Sequence, residues 1–432
     1  MTTAPERPQG AGSAPRAGIV VTGTEVLAGI VADRNGPWIS ARLGELGVEV
    51  ECILVVGDRP RDLASALDYL RDEGVELIVT SGGLGPTADD LTAEVVAGFA
   101  DRRMRLDEVM RERIAAILAD FARRVSTDPE ALEEANVKQA MVPEGAIAID
   151  PAGTAPGLVV PSTGPLVVVL PGPPRELQAM WQPALETEPV RAVLARAPGY
   201  RVRTMRLFGI PESEIAKTLR ELSAQGLDLS QLEITTCLRR AELEVVTRYL
   251  PGGENAYAEL ERAFSDRHGR ELFSADGMTI DAQVGALLEG RSIATAESCT
   301  AGLLAARLAE RPGASAYLLG GIVSYADEAK RGLLGVPAEL IEAHGAVSAE
   351  VAAAMAHGCL ERFAADTACA ITGVAGPGGG TERKPVGLVC VCVLTADGRI
   401  LERQPRLPGD RAEIRDRSTT VALHMLRWLL GD

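Results

Sequence analysis

Residues 17–186 alternate short apolar runs with longer amphipathic stretches, and this alternation restricts the fold more than any other property of the chain. The runs at 17–22, 48–56, 77–80 and 166–170 read as strands. The stretches 37–46, 61–71, 91–99, 107–124 and 175–184 carry helical periodicity. Continuously apolar strands separated by helices bury both faces, which is the pattern of a parallel sheet covered on each side. Residues 187–275 read differently: strands at 201–208, 233–237 and 242–248, helices at 213–223 and 256–267, and punctuation at Gly252 and Gly253 describe a small α+β module. From Met278 a second α/β block runs to the end and closes in a helical pattern over 411–430. The predicted fold class is therefore α/β. Two α/β domains with mainly parallel sheets, at 17–186 and 278–432, are joined by the module at 187–275. Residues 1–16 read as a disordered tail, because they lack the apolar core of a secretory signal.

A length of 432 residues suits two or three domains. Net charge is −16 and aromatics make up 3%, which argues against direct nucleic-acid binding, since that needs basic patches and stacking rings. No apolar run approaches the roughly 18 residues of a membrane span. The seven cysteines are dispersed and form no CxxC pair, so they read as reduced thiols of a cytoplasmic protein. Lysine is scarce: of 44 basic residues only Lys138, Lys217, Lys330 and Lys384 are lysine. A buried lysine gives up its proton far more readily than arginine does, so these four gain weight as candidates for proton transfer.

The string Thr80-Ser81-Gly82-Gly83-Leu84-Gly85-Pro86-Thr87-Ala88-Asp89-Asp90 follows a strand and opens a helix. Gly82, Gly83 and Gly85 let the backbone approach a phosphate, and a helix start favours negative charge. Asp89 and Asp90 repel bare phosphate, so they imply a bridging divalent metal, Mg²⁺ or similar, held by hard oxygen ligands. The plain alternative is a helix cap. Loops at 150–157, with Thr154, and at 170–174 punctuate further strand ends, where ligands bind in open parallel sheets.

In the second block, Ala296-Glu297-Ser298-Cys299-Thr300-Ala301-Gly302 sits at a strand-to-helix turn, a place where free backbone N–H groups attract anions. Ser298 and Cys299 are candidate nucleophiles there, and a helix start lowers a thiol's pKa. Lys330, five residues after Tyr325, is a candidate base. Thr372 and the glycine run Gly376, Gly378, Gly379 and Gly380 offer donors for an oxyanion or phosphate, though such a run is also an ordinary loop. Arg411 and Arg415 are one helical turn apart and suit a bidentate clamp on a 5′-phosphate; a solvated helix face is the plainer reading. Glu297 pairs with Lys330 or contacts a ribose, and Thr300 completes the anchors. No histidine falls in these motifs.

The motifs TGTEVLAG (22–29), TSGGLGPTADDLT (80–92), NVKQA (136–140), GTAPG (153–157) and LPGPP (170–174), and then AESCTAG (296–302), PGAS (312–315), YADEAK (325–330), GAVS (345–348), ITGVAGPGGGT (371–381), KPVG (384–387) and GDR (409–411), resemble the CinA family, in this order. The resemblance implies an N-terminal molybdopterin-binding-like domain acting as a metal-dependent ADP-ribose pyrophosphatase. It implies a C-terminal nicotinamide-nucleotide amidohydrolase that converts nicotinamide mononucleotide (NMN) to nicotinate mononucleotide and ammonia. It points to Ser315 as nucleophile beside Lys330, with Ser298, Cys299 and an activated water as alternatives. It further implies small-molecule nucleotide substrates, no organic cofactor, no metal in the C-terminal domain, and a homo-oligomer of at least two chains. The chain departs from the family pattern at Thr24, where an acid is usual, and at Asp150, where Asn is usual. A rival reading is a non-catalytic nucleotide- or pterin-binding protein that serves competence or the DNA-damage response through a protein partner.

Overall fold

The structure, a computed structural model, describes residues 14–123 and 128–431. The chain divides into two compact units, Met1–Arg201 and Val202–Asp432. Of the expected tail at 1–16, residues 1–13 lie outside the described residues. Arg16 already belongs to the first strand, pairs with Glu49 and donates to Glu51 at 3.1 Å. Residue 124, the end of the expected helix 107–124, also lies outside the described residues.

In order, the first unit contains β1 (Arg16–Thr22), α1 (Thr24–Leu27), α2 (Asn35–Glu45), β2 (Glu49–Val56), α3 (Pro60–Asp72), β3 (Leu77–Ser81), α4 (Thr92–Phe99) and β4 (Met104–Leu106). It continues with α5 (Glu108–Ala122), α6 (Pro129–Gln139), β5 (Met141–Pro143), β6 (Ile147–Ile149), β7 (Gly157–Val160), β8 (Leu166–Leu170), α7 (Pro174–Glu186) and α8 (Glu188–Leu194). The main sheet runs β2-β1-β3-β8-β7-β6. The four strands β2, β1, β3 and β8 are parallel, while β7 and β6 return antiparallel. Both β3 and β8 are buried at every position, as continuously apolar runs demand. Alternate residues of β1 feed opposite cores: Ile19 and Val21 face Leu43, Leu177 and Trp181, whereas Val20 faces Leu67 and Leu70. Three helices start on proline at a position whose N–H needs no partner: Pro60 in α3, Pro174 in α7, and Pro129 in α6, where Asp128 also caps the Glu130 N–H.

The second unit contains β9 (Arg201–Phe208), α9 (Glu212–Ala224), β10 (Leu232–Arg239), β11 (Glu242–Tyr249), α10 (Glu254–His268), β12 (Leu272–Ser274), α11 (Ile280–Leu287), β13 (Ile293–Glu297) and α12 (Leu303–Ala309). After a short 3₁₀ turn at Ala314–Ala316 come β14 (Leu318–Val323), α13 (Asp327–Leu334), α14 (Ala338–His344), α15 (Ala349–Phe363), β15 (Thr367–Gly373), β16 (Val389–Thr395), β17 (Ile400–Arg403) and α16 (Arg411–Gly431). Two sheets result, β10-β11-β9-β12 and β14-β13-β15-β16-β17. In the larger one β14, β13 and β15 are parallel, and β16 and β17 are antiparallel. Its two faces are filled unequally. Ile293, Ile371 and Val391 pack on the side of Leu304, Ile414 and Met425. Ala294, Ala296, Ala368 and Ala370 face Val351, Met355 and Cys359. These alanines let α15 lie close to the sheet, and Gly358 on α15 meets α13 backbone to backbone: a Cβ there would fall 1.8 Å from the Leu334 carbonyl oxygen. The 202–275 segment falls in the same compact unit as the C-terminal block. No helix among the described residues is long and apolar enough to cross a membrane.

Candidate active sites

Register brings the carboxyl ends of β13, β14 and β15 to one edge. Glu297 stands opposite Val323 on one side and Ile371 on the other. Backbone bonds then tie the turns together: Ser298 N donates to Ile371 O at 2.8 Å, and Ser324 N donates to Glu297 O at 2.8 Å. Ser298, Cys299 and Thr300 therefore follow β13, Ser324, Tyr325 and Lys330 follow β14, and Thr372 ends β15 along that same edge.

Glu297 is 1% exposed, and its carboxylate is fully engaged. Oε2 accepts from Gly302 N and Leu304 N at 3.0 Å, and Oε1 accepts from Ala305 N at 2.8 Å and from the Thr295 hydroxyl at 3.2 Å. It is thus the cap of α12. The expectations that it pairs with Lys330 or touches a ribose are corrected, since four donors occupy its oxygens. The same bonds close the anion site expected at this helix start. Cys299 is corrected too: burial pushes its thiol up to about 12, so the helix start creates no thiolate.

Lys330 is 1% exposed and donates from Nζ to the Tyr325 carbonyl at 3.2 Å and to Asp327 Oδ1 at 3.4 Å. The Thr372 hydroxyl donates to Ala346 O at 2.9 Å. Arg411 donates to Gly376 O at 2.8 Å and to the Tyr325 hydroxyl at 2.7 Å. Arg415 donates through Nε to Cys299 O at 3.0 Å and through Nη2 to Thr300 O at 2.9 Å. The two arginines expected as one phosphate clamp therefore differ. Arg411 bridges the loops after β14 and β15, whereas Arg415 spends two donors bracing the Ser298–Thr300 turn. Gly376 is buried, and Gly378, Gly379 and Gly380 are exposed on the loop after β15.

Ser315 does not join this cluster. It lies in the exposed 3₁₀ turn before β14, beside the amino end of the sheet, where Ile293 N donates to Tyr317 O. Lys330 follows the carboxyl end of β14, and a six-residue strand separates the two ends by roughly 17–20 Å. Within one chain the expected pairing of Ser315 with Lys330 is therefore corrected; Ser298, 8% exposed at the end of β13, is the candidate serine at the cluster edge. Sequence reasoning missed Ser324. Its hydroxyl and that of Thr300 are fully buried and without a hydrogen-bond partner among the described residues. The signal was its place directly before Tyr325, at a strand's carboxyl end.

In the first unit the carboxyl ends of β1, β3 and β8 open into a cleft of about 730 Å³, lined by Thr22, Gly82, Gly83, Asp89, Asp90 and Thr154 among others. The glycines are required by geometry. A Cβ on Gly82 (φ 106°) would lie 2.5 Å from Thr22 O, and one on Gly83 (φ 65°) would lie 2.1 Å from Thr92 Oγ1. Gly85 presses on Asp90, where a Cβ would come 2.4 Å from Oδ2. Asn35 ties two rims together by donating to Ser81 Oγ at 2.8 Å and Gly172 O at 2.7 Å. Gln139 donates to Leu84 O and to Thr154 Oγ1 at 3.1 and 3.2 Å. Thr87 Oγ1 lies 2.5 Å from both Asp89 Oδ1 and Asp90 Oδ2, and its hydrogen bond lowers the Asp89 pKa. Lys138 caps the same turn through Thr87 O. Burial raises the pKa of Glu176 on the opposite rim. Among the described residues no group of three or more His, Cys, Asp or Glu side chains is placed to hold a metal ion. Thr24 and Asp58 cap each other, Thr24 N to Asp58 Oδ2 at 2.8 Å and Asp58 N to Thr24 Oγ1 at 3.2 Å. Asp150 is exposed and paired with Arg113, so its added charge is neutralised outside the cleft.

The chain thus carries a candidate site at a strand-end edge of each unit, one glycine-lined and acidic, the other built round a buried lysine. Residues 18–189 match the family described as "Probable molybdopterin binding domain", and residues 278–430 match the CinA C-terminal domain. A CinA-like protein of Mycolicibacterium gilvum is 60% identical over 417 residues, covering 96% of this chain and 99% of that one. A CinA-like protein of Mycobacterium tuberculosis is 57% identical over 422 residues, covering 96% and 97%. The crystal structure of the competence/damage inducible protein CihA from Agrobacterium tumefaciens is 42% identical, covers 35% of this chain and 96% of that chain, and has a TM-score of 0.34. The chain belongs to the CinA family.

Proposed function

We propose that the second unit is a nicotinamide-nucleotide amidohydrolase. The observation that carries this reading is the convergence of Ser298, Lys330, Tyr325, Thr372 and Arg411 at the carboxyl edge of three parallel strands. In this reading the Ser298 hydroxyl attacks the carboxamide carbon of NMN, and Lys330 accepts its proton. The developing oxyanion takes hydrogen bonds from neighbouring backbone N–H groups, while the Thr372 hydroxyl, bound to Ala346 O, ties the end of β15 in place. Lys330 returns the proton to the departing nitrogen, ammonia leaves, and water then releases nicotinate mononucleotide from the serine ester. Arg411 and the loop at Gly376–Gly380 meet the 5′-phosphate. Tyr325, held by Arg411, stands at the exposed rim of the cluster. No metal enters this scheme.

The first unit, in the same reading, is a metal-dependent ADP-ribose pyrophosphatase. Asp89 and Asp90 supply two carboxylates, which suits Mg²⁺, an ion that completes its octahedron with water and substrate phosphate. They would hold the ion, and the ion would neutralise phosphate charge at the acidic rim. Gly82, Gly83 and Gly85 let phosphate approach the backbone. A second reading, nucleotide or pterin binding without turnover, is favoured by the engagement of both carboxylates with Thr87.

Incubating purified protein with NMN and ADP-ribose, with and without chelator, and reading products by mass spectrometry tests both assignments. Chelator-insensitive nicotinate mononucleotide and chelator-sensitive AMP are expected. Unchanged NMN sinks the first assignment. Unchanged ADP-ribose in the presence of Mg²⁺ leaves the first unit as a binding module.

A further inference from the structure

The hairpin of β10 and β11 grips α16, the helix whose first turns carry Arg411 and Arg415. Its two-residue tip, Arg240 and Ala241, holds left-handed backbone (φ 52° and 67°), as a tight hairpin turn requires. Arg240 pairs with Asp416 at 3.3 Å, next to Arg415. Two residues on, Glu242 reaches Nε2 of His424 at 2.7 Å. Both residues of this second contact are buried, Glu242 at 6% exposure and His424 at 0%. The imidazole is stacked on Phe208 with centroids 3.8 Å apart and meets Phe273 edge-on at 4.6 Å. Asp416 and His424 lie eight residues apart, close to two turns and about 12 Å along the axis, on one side of the helix. Between them Arg307, paired with Asp281 at 2.6 Å, donates to the hydroxyls of Thr419 and Thr420 at 3.0 and 2.8 Å.

Two fixed points on one face define the axial position and the rotation of a helix. The first turns of this helix are spent on the site: Arg415 braces the carbonyls of Cys299 and Thr300, and Arg411 spans Tyr325 and Gly376. The geometry points to Glu242 and Arg240 as positioning residues for the C-terminal reaction, acting through α16 on the arginines and on the turn that bears Ser298. Neither touches the cluster itself. Burial drives the Glu242 carboxyl up and the His424 imidazole down, which favours a neutral hydrogen-bonded pair with fixed geometry over a mobile ion pair. The assignment of a reaction to this edge rests on the function proposed above; the mechanical coupling does not.

The test uses the full chain with three variants, Glu242→Ala, Glu242→Gln and Arg240→Ala, and two readouts. Hydrogen–deuterium exchange of peptides covering 296–303 and 411–418 reads the coupling without any substrate. Steady-state kinetics with NMN reads its consequence. In Glu242→Ala, exchange in both peptides rises at least threefold and kcat/KM falls about tenfold. Glu242→Gln, which retains a hydrogen bond to His424, stays within about twofold of the parent. Arg240→Ala, an exposed change that leaves the core untouched, gives a smaller rise in the 411–418 peptide and keeps the proposal testable should Glu242→Ala fail to fold. Unchanged exchange in both peptides for Arg240→Ala and for every folded Glu242 variant overturns the inference. A parent protein that leaves NMN intact removes the proposed activity, while the exchange result still decides the coupling.

Discussion

The Arg411 guanidinium donates to the Tyr325 hydroxyl at 2.7 Å and to the Gly376 carbonyl at 2.8 Å. One side chain thus joins the loops after two different strands. The bond needs the planar fork of arginine, which lysine cannot reproduce. Arg411→Lys is expected to raise KM for NMN by about tenfold or more, with a smaller change in kcat, because it loosens the phosphate side of the site and leaves the proton-transfer groups in place. An unchanged KM would place the phosphate elsewhere.

Ser298→Ala and Lys330→Arg are each expected to lower kcat by at least about 10²-fold, the scale of a lost nucleophile or general base. Ser315→Ala, at the far end of β14, is expected to keep most of the turnover of a single chain. Circular dichroism confirms that each variant folds. Full activity in Ser298→Ala together with loss in Ser315→Ala would show that a second copy of the chain delivers Ser315 to the lysine.

Burial sets the behaviour of Cys299. With its thiol pushed up to about 12, the thiolate fraction at pH 8 is on the order of one in 10⁴. Iodoacetamide is expected to label this cysteine far more slowly than the exposed Cys237, as peptide mass spectrometry will read. Cys299→Ser is expected to retain a substantial fraction of activity. Rapid labelling at pH 7 would contradict the burial argument.

Glu242 gives a pH dependence of stability. Its carboxyl, raised from about 4.5 to about 7, is bound to a proton in the fold while the unfolded chain has already lost it. Its favourable contribution is therefore full below about pH 4.5 and is lost as pH rises through 7. A shift of this size corresponds to about 3 kcal/mol. Glu242→Gln cannot titrate, so its stability relative to the parent is expected to rise by up to that amount between pH 4.5 and pH 8. His424 works in the opposite sense: lowered to about 2, it gives stability above its unfolded value near 6.5 that is lost as pH falls. Urea unfolding of both proteins across this range measures the difference; parallel curves would rule out a perturbed carboxyl.

The parallel sheets were legible because β3, β8, β13 and β15 are short, mainly apolar runs between helical stretches. The helix α6 escaped notice because the residues it buries are Asn136 and Gln139, so no apolar stripe marks its inward face. The site was half legible. Small hydroxyl residues at strand ends marked Ser298 and Thr372 as candidates, and charged residues in the first turn of helices marked Lys330 and Arg411. The role of Glu297 was hidden, because a carboxylate before a helix is equally a ligand contact or a cap, and only the distances to Gly302, Leu304 and Ala305 decide. Ser315 misled for a related reason. Proximity along the chain to Tyr325 says nothing about direction, and a strand between two residues separates them by its full length.

The backbone contact between Gly358 and the Leu334 carbonyl has a consequence for how the chain tolerates change. Helix α13 presents Lys330 and ends at Leu334, so whatever shifts that last turn shifts the lysine as well. With 1.8 Å available, even a methyl group at 358 must push the two helices apart. A site that touches no substrate is thereby closed to every side chain larger than hydrogen, and random variation will meet one of its hardest walls on the outer layer of the domain, away from the mouth of the site.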